Sequence, residues 1–141
     1  MYLLDTNVLS ELMRPRPAAG VVGWTREQPL ERLHVAAVTI AEVHFGLALI
    51  EDDERHRELR RRFDRLVVDG FSARVIDFDR HVAAECGRLQ AQRCRTGRPM
   101  SVPDAQIAAT ARTSDLVVAT RNVRDFRDLG LDLFNPFDLD A

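Results

Sequence analysis

Lysine is absent from this chain, and every one of its 20 basic residues is an arginine. Any mechanism that needs a lysine amine is therefore excluded. Cysteine is scarce: Cys86 and Cys94 share one predicted helix and lie about 12 Å apart by helical rise, too far to form a disulfide with each other. We expect both to be free thiols in a reducing compartment.

Long hydrophobic runs are also missing. No apolar segment is long enough to cross a bilayer, and the opening MYLLD carries an acid where a signal peptide has its basic start and long apolar centre. The sequence therefore predicts a cytoplasmic protein that makes no contact with membranes.

The composition fits one folded domain. The 141 residues are 45% hydrophobic and 30% charged, which is enough apolar material for one sizeable core, so we expect a single domain over residues 1–141. The formal net charge of −2 argues against a surface built uniformly for nucleic acid, but it leaves room for local basic patches.

Strand and helix patterns alternate along the chain. Predicted strands cover residues 1–5, 33–38, 74–78, 116–120 and 131–136, and predicted helices cover residues 6–12, 18–28, 39–50, 52–68, 79–95 and 103–113. Thr6 or Asn7 is the expected N-cap of the first helix, and Thr39 that of the third. Pro103 suits a first helical position. The alternation predicts a three-layer α/β/α fold around a mainly parallel sheet.

Four acids lie where predicted strands end or predicted helices begin. Asp5 ends the first strand, and Asp125 follows the strand that ends at Thr120. Glu42 and Asp104 fall in the first turns of two helices. The carboxyl ends of parallel strands form one edge of a sheet, so we expect these carboxylates to converge there. Taken singly, each has another interpretation. Glu42 and Asp104 could simply favour helix N-termini, and Asp5 could bond to nearby backbone amides. Asp125 could belong to an ordinary turn.

Converging carboxylates predict a cation site. They repel each other unless a divalent cation or shared protons relieve the repulsion. All candidate ligands are oxygens, which suits Mg²⁺, with Mn²⁺ as a substitute, better than zinc. The hydroxyl and amide groups that could support the ligands belong to Thr6, Asn7, Thr39, Thr120 and Asn122. Such a site is suited to cutting phosphodiesters, because the metal lowers the pKa of a water and stabilises charge on the phosphate.

Two other classes with acids at the edge of a parallel sheet do not fit. A response-regulator receiver requires a lysine after its last strand, and this chain has none. A haloacid-dehalogenase-like phosphatase requires a second aspartate two residues after the first, whereas Asn7 stands in that position.

Four segments together resemble a known family. LLDTNVLSEL, TIAEVHFGL, PDAQIAATA and VVATRNVRDF occur in that order along nearly the whole chain. The chain resembles the PIN-domain ribonucleases, and within them the VapC-like toxins of bacterial type II toxin–antitoxin pairs, including the FitB-like branch. Each segment alone is a weak signal, whereas all of them in this order in a chain of this length are specific.

The resemblance implies roles for individual residues. Asp5, Glu42 and Asp104 match the family's metal-site acids, and Asp125 matches its more variable fourth acid. These acids are accordingly the predicted catalytic residues and metal ligands. The family's polar positions, which orient ligands or water, are matched by Thr6, Asn7 and Thr120.

The resemblance also implies an activity and partners. The expected activity is Mg²⁺-dependent endonucleolytic cleavage of RNA. The expected partner is a small antitoxin that occupies the active-site groove and whose other end binds operator DNA, so this chain meets DNA only through the antitoxin. The family's additional helical pair corresponds to residues 39–69 and often supports dimerisation, so a homodimer is expected. The alternative left open is a noncatalytic interaction domain of the same fold, whose acids serve only helix ends.

Arginines flank two of the acids. Five of them are candidate contacts for the RNA backbone, because a guanidinium binds phosphate oxygens well: Arg93, Arg95, Arg98, Arg121 and Arg124. The alternative for each one is a solvated surface residue.

Overall fold

The structure, a computed structural model, describes residues 1–71 and 74–140 and alternates strands with helices. The strands are β1 (Tyr2–Leu4), β2 (Leu33–Ala36), β3 (Val75–Ile76), β4 (Val117–Ala119) and β5 (Leu133–Phe134). The helices are α1 (Thr6–Leu12), α2 (Ala19–Glu27), α3 (Ala37–Leu49), α4 (Glu54–Arg65), α5 (Arg80–Arg95) and α6 (Val102–Thr113). Shorter helical turns cover Leu30–Arg32, Leu66–Gly70, Val123–Phe126 and Pro136–Asp140. Most predicted elements are therefore confirmed, with ends that shift by a few residues.

The strands form one parallel sheet in the order β3-β2-β1-β4-β5. The chain winds from β1 outward to β2 and β3, and then returns to the other side of β1 to form β4 and β5. The winding direction therefore reverses between β1 and β4. In open parallel sheets a crevice forms outside the carboxyl ends of the strands at such a switch point, and ligands bind there.

Side chains of β1 point alternately into two hydrophobic cores. Leu3 lies in the core that α5 and α6 cover, with Leu89 and Ile107. Leu4 lies in the core that α1 to α4 cover, with Phe63. Successive residues of a strand face opposite sides of the sheet, so β1 separates the two helical layers. The predicted three-layer α/β/α fold is confirmed, and α3 and α4 form the additional helical pair.

Two predicted helix caps are wrong. Asp5, rather than Thr6 or Asn7, caps α1, because its Oδ1 accepts a 2.8 Å hydrogen bond from the Thr6 N–H. Thr39 does not begin α3, because β2 turns directly into a helix that starts at Ala37. Both threonine hydroxyls are thereby free for contacts with other elements.

The start of α6 also differs slightly from the prediction. Ser101 is the N-cap and accepts a hydrogen bond from the Asp104 N–H at 3.2 Å. Pro103 is the second helical residue rather than the first, since the helix begins at Val102. Proline has no N–H to donate, and the first-turn amides have no partner within the helix, so this position costs nothing.

The structure bears on two of the sequence predictions, those on the cysteines and on membrane-spanning segments. Cys86 and Cys94 lie on α5, the former buried and the latter exposed, and both are free thiols. Within the described residues, every helix is too short or too polar for a membrane span.

Candidate active site

The candidate site lies where β1 and β4 end side by side. Leu4 pairs with Ala119 in the sheet register. The next residues, Asp5 and Thr120, therefore leave the sheet together at its switch point. Both are buried, with Asp5 5% exposed and Thr120 fully buried.

The Asp5 carboxylate is held by donors from three places. Its Oδ1 accepts from the Thr6 N–H, while Oδ2 accepts from the Thr120 hydroxyl at 2.7 Å and from Asn7 Nδ2 at 3.1 Å. Asn7 also accepts from the Arg121 N–H at 3.1 Å through its Oδ1. One asparagine thus links the start of α1 to the loop after β4, and the carboxylate of Asp5 has a single orientation.

Burial raises the pKa of Asp5 to about 6. Hydrogen bonds from Thr120 and from the Thr6 N–H oppose this rise, whereas the charges of Asp104 and Glu42 add to it. Both acids are therefore close enough to Asp5 for their charges to act on it. A carboxyl group in this environment gains from a nearby cation, because a cation offsets both the burial and the repulsion.

Glu42 is held by a short chain of hydroxyl groups. The Thr6 hydroxyl donates to Glu42 Oε1 at 2.7 Å and lies 3.3 Å from the hydroxyl of the fully buried Thr39. Because a hydroxyl carries one hydrogen, Thr6 takes part in the second contact as the acceptor. Thr39 precedes Glu42 by almost one turn of α3, so helix geometry places both side chains beside Thr6.

Asp104 and Asp125 complete the group from the other side of the site. Asp104 is half-buried in the first turn of α6, and burial raises its pKa, with repulsion from Asp125 adding to the rise. The Ser101 hydrogen bond and the charge of Arg93 oppose these effects. Asp125 is exposed, on the turn Val123–Phe126 that follows β4. The four residues Asp5, Glu42, Asp104 and Asp125 are called the acid group below.

The donor chemistry of the acid group fits a hard cation. All its candidate ligand atoms are carboxylate oxygens. The groups that donate hydrogen bonds to Asp5 and Glu42 from side chains are hydroxyls and an amide. Over residues 1–71 and 74–140, no three Asp, Glu, His or Cys side chains stand close enough together to hold one ion. Mg²⁺ is usually held by one or two carboxylates and keeps several waters, so a loose set of acids suits it better than it suits zinc.

Asn122 takes part in the site through its backbone. Its N–H donates to the Thr120 hydroxyl oxygen at 3.0 Å, while its side chain is exposed. The Thr120 hydroxyl therefore donates a hydrogen bond to Asp5 and accepts one from the Asn122 N–H. This chain of hydrogen bonds fixes the direction in which Thr120 donates.

Arg93, a predicted phosphate contact, is held mainly by the protein's own backbone. It is 6% exposed, and its guanidinium donates to the backbone carbonyls of Arg98, Asp125 and Arg127. Three of its five N–H donors are engaged in this way, so within the described residues only the two on Nη2 are left for a phosphate.

The other four candidate arginines are exposed. Arg98 pairs with Asp128 at 2.9 Å, and the Arg121 guanidinium lies 4.5 Å from the centre of the Phe137 ring. Arg95 is the last residue of α5, and Arg124 immediately precedes Asp125. These four remain predicted contacts for an RNA backbone.

The structure adds residues that the sequence interpretation missed. Ser101 caps the helix that carries Asp104, and the pattern S-V-P-D, a capping residue three positions before an acid, could have identified it. The burial of Arg93 also had a signal, because it follows Val82, Cys86 and Leu89 at helical spacing and so stands on the apolar face of α5.

Comparisons with known proteins agree with one another. The family model described as PIN domain matches residues 2–131. The chain is 36% identical over 137 residues to Toxin FitB of Neisseria gonorrhoeae, across 97% of this chain and 99% of that protein. It is also 36% identical over 138 residues to VapC ribonuclease Y4jK of Sinorhizobium fredii, across 98% of this chain and 99% of that protein. A solved structure described as FitAB bound to an IR36 DNA fragment is similar with a TM-score of 0.90 at 35% identity, across 97% of this chain and 96% of that chain.

Proposed function

Because this chain belongs to the PIN domain family, we propose that it is a metal-dependent endoribonuclease and the toxin of a type II toxin–antitoxin pair. The observation that carries the proposal is the buried Asp5 carboxylate at the switch point of the sheet, where the charges of Glu42 and Asp104 act on it. Relatives described as a toxin and as a ribonuclease, each similar over nearly the whole chain, support the same function.

Mg²⁺ is the proposed cofactor, with Mn²⁺ as a substitute. The proposed ligands come from the acid group. Asp5 and Asp104 bind the cation directly, Glu42 binds it directly or through a water, and Asp125 completes the site or holds a second ion. When bound, the cation would lower the pKa of a water molecule and stabilise negative charge on the phosphate. The oxygen-only donor set favours a hard cation. A cation at this position would also offset the burial and the repulsion that raise the pKa of Asp5.

The residues of the chain have separate tasks in the proposed reaction. Asp5 presents a carboxylate of fixed direction, because Thr120 and Asn7 hold one of its oxygens. Thr6 holds Glu42 in the same way. A carboxylate of the acid group accepts the proton of the water that attacks phosphorus in line with the departing 3′ oxygen. Exposed arginines after β4, Arg121 and Arg124, bind the RNA backbone.

The proposed protein partner is an antitoxin that covers the acid group. The similar structure described as FitAB bound to a DNA fragment supports a complex that binds DNA. In our proposal the antitoxin makes the DNA contacts and this chain makes none itself. A homodimer is also proposed, through α3 and α4. Phe45 and Leu49 on α3 are exposed apolar side chains in this helical pair, and a partner that covers them would gain by burying their surface.

Incubation of the purified protein with a panel of structured RNAs tests the enzyme proposal. We expect endonucleolytic products in the presence of Mg²⁺ or Mn²⁺ and intact RNA in the presence of EDTA. An Asp5→Asn variant that carries the same purification background is the control for contaminating nucleases. If no RNA is cut while the protein binds a partner protein tightly, the noncatalytic interaction domain is the better description.

A further inference from the structure

Arg93 makes contacts that the proposed reaction leaves unexplained. It lies near the end of α5 and is 6% exposed, although arginine is rarely buried. Its Nε donates to the Arg98 carbonyl at 2.8 Å, and its Nη1 donates to the carbonyls of Arg127 at 3.1 Å and Asp125 at 3.3 Å. One side chain thus joins the end of a helix to two other stretches of backbone.

The first of these contacts depends on how α5 ends. The Arg98 N–H donates to the Arg93 carbonyl and the Gly97 N–H to the Cys94 carbonyl, which is the Schellman pattern. Gly97 has a φ of 73°, in the left-handed region that favours glycine. This turn folds the chain back on α5 and brings the Arg98 carbonyl to Arg93. Three residues later the chain reaches Ser101, the N-cap of α6.

The second set of contacts holds the segment after β4. Two carbonyls of this segment, those of Asp125 and Arg127, accept from Arg93. Its next residue, Asp128, is held from the same region, because its carbonyl accepts from Gln92 at 3.1 Å and its carboxylate pairs with Arg98. The end of α5 therefore fixes the backbone on which Asp125 stands.

A buried charge needs compensation. Among the described residues, no carboxylate lies within ion-pair distance of Arg93, and its donors are directed at neutral carbonyls. Carbonyl dipoles and the nearby negative acid group are what offset the charge. This arrangement uses three donors of the planar guanidinium, on Nε and Nη1, whereas a lysine ammonium offers a single point charge.

We propose that Arg93 is a positioning residue that holds the segments carrying Asp104 and Asp125 at a fixed separation, and that it does not contact RNA. The inference rests on the proposed function only for the metal-binding roles of Asp104 and Asp125. The backbone contacts of Arg93 do not depend on any reaction. Core packing of the neighbouring residues Ala105 and Phe126 already brings the two segments together, and the Arg93 hydrogen bonds fix their backbones further. Metal affinity depends on such outer contacts by about 10-fold to 100-fold.

Two variants and one control test the proposal. Arg93→Lys keeps the positive charge and the apolar stem but loses the planar set of donors, and Arg93→Gln loses the charge as well. Arg80→Gln is the matched control, since Arg80 is exposed on the same helix and lies about 20 Å from Arg93 by helical rise. Circular dichroism and thermal melts identify any variant that fails to fold, and Arg93→Lys is the variant expected to survive.

Three measurements separate the possible roles of Arg93. Hydrogen–deuterium exchange of residues 96–101 and 121–129 should be faster in both Arg93 variants than in wild type and unchanged in Arg80→Gln. Mn²⁺ binding, followed by the loss of the free-ion signal in electron paramagnetic resonance, should weaken by about 10-fold or more in both variants. Affinity for a fluorescently labelled RNA in EDTA should stay within twofold of wild type.

The opposite pattern would overturn the proposal. A direct phosphate contact predicts that Arg93→Gln weakens RNA binding in EDTA, that Arg93→Lys restores it, and that exchange and Mn²⁺ affinity do not change. Unchanged exchange in both segments also overturns the proposal, whatever the other results. If the wild type itself neither binds Mn²⁺ nor cuts RNA, the proposed function fails, and the exchange measurement alone still decides whether Arg93 holds the two segments.

Discussion

The hydroxyl of Thr120 donates a 2.7 Å hydrogen bond to the carboxylate of Asp5, although 115 positions separate the two residues in sequence. The contact exists because β1 and β4 are neighbours in the sheet and end in register. It lies at the point where the winding of the sheet reverses, so it is also the contact around which the candidate site is built.

Replacing an acid of the group should abolish cleavage of RNA. Asp5→Asn and Asp104→Asn each keep the size of the side chain but remove a charge that we propose binds the metal. We expect no detectable products from either variant under conditions where wild type cuts RNA completely. Asp132→Asn is the control, because Asp132 is an exposed acid immediately before β5, at the opposite edge of the sheet, and it should cut like wild type. Full cleavage by a folded Asp5→Asn or Asp104→Asn protein would exclude that residue from the essential site.

The metal-free protein should lose stability as pH rises from about 4 to 6. The pKa of Asp5 is raised from 3.8 to about 6 in the folded state, so the folded protein binds this proton more tightly than the unfolded chain does. The stability contributed by the proton is present at low pH and is lost through that window, by about 3 kcal/mol at pH 7. Asp104, whose pKa is also raised, acts in the same direction.

Asp5→Asn isolates this effect. Asparagine can still cap α1 with its side-chain oxygen, so at pH 7 in EDTA the variant should be more stable than wild type, and at pH 4 the two should be equal. Urea denaturation at several pH values measures the difference. A variant that is less stable than wild type at every pH would instead show that the Asp5 carboxylate serves α1 alone.

Mg²⁺ should raise the melting temperature of the wild type. In our proposal the cation binds the folded state, in which the acid group is brought together, and has little affinity for the unfolded chain. Thermal melts with EDTA and with millimolar Mg²⁺ should therefore differ for wild type and for Asp132→Asn, and the difference should shrink in Asp5→Asn and Asp104→Asn. Equal melting temperatures for the wild type in the two buffers would contradict a metal site.

Removing the Thr6 hydroxyl should slow cleavage without unfolding the protein. Thr6→Val keeps the shape of the side chain but leaves Glu42 without its donor, so we expect a rate loss of about 10-fold. Thr6→Ser retains the hydroxyl and should cut RNA at nearly the wild-type rate. Initial rates at saturating Mg²⁺, together with melting temperatures, make the comparison, and equal rates for the valine and serine variants would remove Thr6 from the site.

An inhibitory antitoxin should place a basic side chain, most simply an arginine, beside the acid group. A cation there replaces the charge that the metal otherwise supplies. Excess Mg²⁺ should then weaken the complex slightly in a binding titration, and Asp5→Asn should weaken it more. An inhibitory complex whose structure leaves the acid group open to solvent would contradict this mode of inhibition while leaving the pairing intact.

Much of the fold follows from local patterns in the sequence. The apolar residues Leu3 and Leu4 predict a buried strand, and the segment TNVLSEL that begins at Thr6 predicts a helix directly after it. The end of the first strand at Asp5 and the start of α6 near Asp104 could also be predicted, because capping residues and proline act within one turn of the chain. The separate acids were therefore identifiable before any fold was known.

Tertiary structure decided which partner each polar side chain has. Thr6 and Thr39 are good capping residues by local criteria, yet packing placed them beside Glu42 instead. Local signals extend over a few residues, whereas these contacts join elements that meet only when the sheet is assembled.

Arg93 shows the same division most clearly. By itself the sequence determined a fold of alternating strands and helices and a set of carboxylates at one sheet edge, because hydrophobic periodicity and capping are local properties. Helical spacing after Cys86 and Leu89 even places Arg93 on the buried face of α5, but it does not identify the groups that accept hydrogen bonds from Arg93. Burial depends on what packs against that face, and the carbonyls of residues 98, 125 and 127 come together around Arg93 only in the folded chain.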